Sequence, residues 1–147
     1  MLRVITPLAI CAAFAAVLLG PSAAAADSPR SGALHVTKEC SQYFGQAGQF
    51  CTITSSSLRA IDAGSKVIYL QPAGAAGLDS DVVLYTGPGN SAYGHVTLSF
   101  ASLSGVVTFS GGTGQFRGFE ARVLVTYNPA TNLWYWDGTY NFTPPRT

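Results

Sequence analysis

From residue 34 onward the sequence is a succession of short runs, apolar or alternating at period two, with glycine or proline between most of them. The runs fall at 34–38, 50–57, 66–71, 81–86, 93–100, 105–110, 119–127 and 133–142. Successive side chains of a strand point to opposite faces, so apolar–polar alternation marks a ribbon with one buried face. No stretch sustains the periodicity of an amphipathic helix. Eight strands with short connections predict an all-β domain with antiparallel neighbours. Two packed sheets would satisfy the pattern. Eight is also the number at which an up-and-down sheet closes around a small cavity and removes its edges, and we expect the closed antiparallel barrel ahead of the sandwich.

The last two runs carry the most information about faces. Residues 119–127 put Phe119, Ala121, Val123, Val125 and Tyr127 on one face and Glu120, Arg122, Leu124 and Thr126 on the other. Residues 133–142 separate Trp134, Trp136, Tyr140 and Phe142 from Leu133, Tyr135, Asp137, Thr139 and Asn141. Apolar matching sets the Val face beside the Trp face, since a one-residue slip would mix both. Glu120, Arg122 and Asp137 then share the opposite face. Periodicity favours the aromatic face as core and the charged groups as a solvated cross-strand cluster. The reverse arrangement points the charged groups into the barrel and packs the apolar face on a partner subunit.

Ahead of the strands stands a different kind of segment. Met1-Leu2-Arg3, an apolar run over 8–19 and Ala24-Ala25-Ala26 before Asp27 have the three parts of a secretory signal peptide. The apolar run is shorter than the roughly 20 residues of a membrane span. We therefore expect cleavage after Ala26, a secreted mature chain without a transmembrane segment, a flexible leader over 27–33 and one barrel domain over 34–147. Cys11 follows Ile10 inside the apolar run, which does not fit a lipidation site. Cys40 and Cys51 survive processing, and an even pair in an exported chain reads as a disulfide rather than two buried thiols. Such a bridge would stabilise by about 3 kcal/mol on the chain-entropy account.

Composition narrows the partners. Lys and Arg number eight and Asp and Glu seven, for a net charge of +1. Nucleic acid is a poor fit, because that binding rests on clustered basic residues neutralising phosphates. With the two cysteines paired, His35 and His95 lack the spacing of a zinc site, and no metal or other cofactor is expected.

Gly111-Gly112-Thr113-Gly114-Gln115-Phe116 is a tight corner between the sixth and seventh runs, where glycine allows positive φ without a Cβ clash. It is not a phosphate loop. Gln115-Phe116 stands where a Walker loop has Lys-Ser/Thr, Arg117 stands where a dinucleotide fingerprint has its third glycine, and no helix follows. No serine sits in G-x-S-x-G, so a triad built on His35 or His95 has little support. His95 reads as a hydrogen-bonded strand residue. Asp79 and Asp81 flank a strand start and read as turn residues rather than a glycosidase pair.

The corner resembles the G-G-T-G-x-F signature of plant dirigent proteins, which share a calycin-like barrel with allene oxide cyclases. The likeness covers the C-terminal third, over 103–127. Trp134-Tyr135-Trp136-Asp137-Gly138-Thr139-Tyr140 and the Cys40/Cys51 pair also resemble small uncharacterised secreted bacterial members. The resemblance implies an eight-stranded barrel, often trimeric, whose interior holds a hydrophobic small molecule and steers its coupling or cyclisation without a metal. In dirigent proteins the motif runs on to A-R-G with a cavity-facing arginine. By count that arginine falls at Glu120, and Arg122 follows two residues on, on the same face. The acid that some dirigent proteins carry after the last glycine is Gln115 here.

The expected function is therefore a secreted barrel that binds an apolar ligand or guides its cyclisation by restricting its conformers. Its expected polar groups are Glu120, Arg122 and Asp137, with Tyr69 and Tyr85 as ligand-binding hydroxyl donors. The rival from another class is a non-enzymatic extracellular or envelope-associated protein that works through its surface and has a filled barrel. A hydrolase ranks third for want of a triad.

Overall fold

The structure, a computed structural model, describes residues 30–143. The signal peptide expected over 1–26, Cys11 and the first residues of the expected leader lie outside the described residues. Eight strands follow one another: β1 Ser31–Glu39, β2 Phe50–Ser56, β3 Lys66–Tyr69, β4 Gly77–Gly87, β5 Asn90–Ser99, β6 Ser104–Gly112, β7 Phe119–Asn128 and β8 Leu133–Phe142. Each pairs antiparallel with the next and β8 pairs with β1, so the sheet is a closed up-and-down barrel. Closure leaves no unpaired edge.

Four strands start earlier than the sequence predicts, β5 at Asn90 and β6 at Ser104 by three residues and one, and β1 and β4 with consequences for the site. β1 begins at Ser31 instead of Leu34, because Ser31, Gly32 and Ala33 pair with Asn141, Tyr140 and Thr139 at the end of β8. β4 begins at Gly77, so Asp79 and Asp81 are not turn residues. They occupy outward positions of a strand whose inward side is Leu78, Ser80, Val82 and Leu84.

The interior belongs to the Val–Trp face. Val125 lies opposite Trp136, Tyr127 opposite Trp134 and Ala121 opposite Tyr140, the register that apolar matching requires. Phe119, Val123 and Trp136 have no exposed surface. Glu120, Arg122 and Asp137 accordingly face outward, and the alternative with these groups inside is not the structure's.

Topology sorts the connections by end. Those after β1, β3, β5 and β7 gather at one mouth, and those after β2, β4 and β6 gather at the other. The second end is plugged. The Gly111–Phe116 corner contains a short 3-10 turn, Gly114–Phe116, that folds Phe116 beneath the barrel. Gly111 and Gly114 have φ of 88° and 59°, the left-handed region that glycine enters without strain. Phe116 meets Phe119 edge-on at 5.3 Å, and Phe109 lies 5.8 Å from Phe119 and 5.6 Å from Trp136. Leu58 and Ile61, from the connection after β2, are buried at the same end. Each such side chain contributes about 1.5–3 kcal/mol by leaving water. The corner thus closes one end, and whatever opening the barrel has must lie at the other.

Candidate functional site

At the open end the barrel holds a cavity of about 410 Å³. Leu78, Val96, Leu98 and Val125 form its apolar wall, and Phe100, Leu103 and Trp134 stand toward the rim. Phe100 and Leu103, on the β5–β6 turn, are left exposed there. Tyr127 donates to Asn132 Oδ1 at 2.6 Å, so these two rim groups satisfy one another. The Cys40–Cys51 disulfide forms, as expected, and lines the cavity while tethering the β1–β2 connection across the mouth.

The polar floor is built around Lys38. Leu34, Val36 and Lys38 alternate on the inward side of β1, so strand geometry alone drives the lysine inside. Opposite it, Thr37 pairs with Ser55 while Lys38 pairs with Ile53, which leaves Thr54 as the extra residue of a β-bulge. Hydroxyl contacts from Thr37 Oγ1 to Thr54 at 2.6 Å and Ser55 at 2.5 Å hold that bulge on the outside. Bulges of this kind re-aim side chains and recur beside functional sites.

Lys38 is 3% exposed and donates from Nζ to the Tyr69 hydroxyl at 2.6 Å. The Tyr69 hydroxyl donates in turn to Cys51 Sγ at 3.5 Å. The amine also lies 4.9 Å from the centre of the Trp136 ring and 5.3 Å from that of Tyr69, within cation–π range. Among the described residues no carboxylate lines the cavity. Desolvation without a counter-ion penalises the ammonium form and brings the Lys38 pKa from 10.5 down to about 7. Burial pushes the Tyr69 hydroxyl well above its ordinary value, so it stays a protonated donor. Tyr43, from the β1–β2 connection, sets its ring 4.5 Å from Tyr69, and its buried hydroxyl has no hydrogen-bond partner among the described residues. The Trp136 indole N–H is a second buried donor without one.

The residues expected from sequence divide around this cavity. Tyr69 is at its floor and Cys40 and Cys51 are in its wall. Tyr85 points outward and is 38% exposed, because the period of β4 gives the interior to Leu84. Asp137 is bound to His35 at 2.7 Å on the outer surface. Glu120 and Arg122 line a shallower outer depression of about 310 Å³ with Thr139 and Asn141. The structure therefore does not bring Glu120, Arg122 and Asp137 together with Tyr69. Lys38 was missed, although the signal was present: a lysine in register with Leu34 and Val36 on the apolar face of an alternating strand.

A second polar cluster lies on the outer wall. His95 Nε2 approaches Asp79 Oδ1 at 2.5 Å and its Nδ1 approaches Asp81 Oδ1 at 3.0 Å. Hydrogen bonds to Asp81 and then Asp79 raise the His95 pKa. Among the described residues no three His, Cys, Asp or Glu side chains are arranged to hold a metal ion, and no helix is long and apolar enough to cross a membrane. No protein-family model matches the chain, and neither a curated protein nor a solved structure matches it.

Proposed function

We propose that this protein is an exported barrel that binds a hydrophobic small molecule in the cavity at its open end. The observation that carries the reading is the cavity itself: about 410 Å³, walled by Leu78, Val96, Leu98 and Val125, in a barrel whose opposite end is packed with aromatic rings. Ligand sites are concave, mostly apolar and furnished with a few convergent polar groups, and their volumes begin near ~300 Å³. The Lys38–Tyr69 pair supplies the polar groups. A protein acting only through its surface has no need of such a space. The disulfide at the mouth and the signal-like leader support export. The likeness of the Gly111–Phe116 corner to the dirigent signature agrees with this reading. An apolar site with a proton-exchanging amine at its floor also supports steering of a bound molecule's cyclisation as an extension of binding.

The test is titration with Nile red, a neutral dye that brightens in apolar sites. The wild-type protein binds it. Leu98→Trp, which fills the cavity, weakens binding by about tenfold or more, while Leu124→Trp on the outer face leaves it unchanged. Absence of dye binding, or equal binding by both variants, contradicts the reading.

A further inference from the structure

The cavity floor is rich in protons to donate: Lys38 only donates when charged, and the Tyr69 and Tyr43 hydroxyls each have one proton to give. An ammonium at Lys38 carries three N–H bonds and spends one on Tyr69. The Tyr69 hydroxyl proton goes to a disulfide sulfur at 3.5 Å, a weak acceptor that a better one displaces. The Tyr43 hydroxyl, beside Tyr69, is buried with no partner among the described residues. Against these donors the cavity offers no carboxylate among the described residues, and the amide oxygen of Asn132 already accepts from Tyr127. A buried cation without a counter-ion and a buried donor without an acceptor each cost free energy that burial of apolar surface elsewhere must offset. One kind of ligand group relieves both: a group that only accepts and carries a negative charge.

We infer that the ligand of this cavity is an amphipathic carboxylic acid, its carboxylate bound by Lys38 Nζ with the Tyr69 and Tyr43 hydroxyls and its apolar body lying along Leu78, Leu98 and Val125 toward the rim. This rests on the cavity-binding reading above and adds the head-group chemistry. An alcohol or amide of the same shape fits the wall equally well but leaves Lys38 without a counter-charge. An amine is repelled outright. The carboxylate completes the ion pair in a site shielded from water, where charge-assisted hydrogen bonds are strongest.

The pairing makes binding depend on the Lys38 proton. The groups facing Lys38 are Tyr69 from β3, Tyr43 from the β1–β2 connection, the Cys51 sulfur from β2 and Trp136 from β8. None of them changes charge between about pH 6 and pH 9, where tyrosine is still protonated. A loss of acid binding over that interval therefore reports on Lys38 itself.

The experiment displaces Nile red with octanoate and with octan-1-ol, a pair matched in chain length. At about pH 6 octanoate displaces the dye at a concentration at least about tenfold below that of octan-1-ol, the ratio expected for one shielded charge pair. In Lys38→Met, compared at equal dye occupancy, octanoate and octan-1-ol displace the dye at similar concentrations. In the wild-type protein the preference declines toward pH 9, a readout that needs no variant. Equal displacement by the two probes overturns the inference and leaves cavity binding intact. So does a preference that survives in Lys38→Met, or one that is flat with pH. Failure of the wild-type protein to bind Nile red at all overturns the cavity reading beneath it.

Discussion

Lys38 Nζ and the Tyr69 hydroxyl meet at 2.6 Å inside the barrel, from β1 and β3, with the Cys51 disulfide sulfur on the strand between them. A hydrogen bond and two aromatic faces are modest compensation for an ammonium taken out of water, and that imbalance gives the molecule a measurable signature.

The first consequence concerns stability. The unfolded chain holds the Lys38 proton up to about pH 10.5, whereas the folded chain releases it near pH 7. Between those values the unfolded state binds more protons, so stability rises with pH, and the penalty is greatest at and below pH 7. Lys38→Met removes it. Urea unfolding of the wild-type protein is expected to show a gain of about 2–3 kcal/mol from pH 6 to pH 9 relative to Lys38→Met. Parallel profiles for the two proteins would mean that Lys38 is hydrated.

The mouth depends on the disulfide. Cys40 and Cys51 lie 11 positions apart in the sequence, and opening that loop in Cys40→Ala/Cys51→Ala is expected to cost about 2–4 kcal/mol. Tyr43, carried by the same loop, loses its position against Tyr69. Nile red affinity should therefore fall in this variant under conditions where circular dichroism still reports a folded barrel. Unchanged affinity in the folded variant contradicts a role for the loop in shaping the cavity.

On the outer wall, the two carboxylates beside His95 favour its charged form. Asp81→Asn should lower the His95 pKa more than Asp79→Asn, followed by the imidazole proton shifts in an NMR titration. Because the folded pKa is raised, the contribution to stability is fully present below the ordinary histidine value. It is lost as pH rises through the raised one. The groups are exposed and screened, so the effect is below about 1 kcal/mol.

Barrel closure has its own test at Gly138. A Cβ there would press on the carbonyl oxygen of Arg122 and the Cα of Val123 on β7, both of them backbone atoms. Gly138→Ala is expected to destabilise by more than about 2 kcal/mol and to raise amide exchange along β7 and β8. An alanine accepted without either change would contradict the close approach of these strands.

The eight strands were legible because alternation and glycine punctuation are local, and apolar matching fixed the register that sets Val125 beside Trp136. Side-chain parity was the harder inference. Counting from the glycine corner reached Glu120 and Arg122, but a count does not decide which face of β7 turns inward. Burial of Phe119, Val123 and Trp136 decides it. Asp79 and Asp81 read as turn residues because Gly77 and the preceding Pro72–Gly74 segment hide the start of β4, which pairing with β5 reveals. Lys38 was legible from its parity with Leu34 and Val36. The cavity above it was not, since it arises where connections after β1, β3, β5 and β7 meet, and those lie far apart in sequence.

The most direct measurement of the central claim is isotope-filtered NMR of the protein saturated with Nile red, recording contacts between dye protons and protein methyl groups. We predict contacts to the methyls of Leu78, Val96, Leu98 and Val125, the wall of the mouth cavity. Contacts confined to the outer-face methyls of Leu124, which is 52% exposed, would contradict the account.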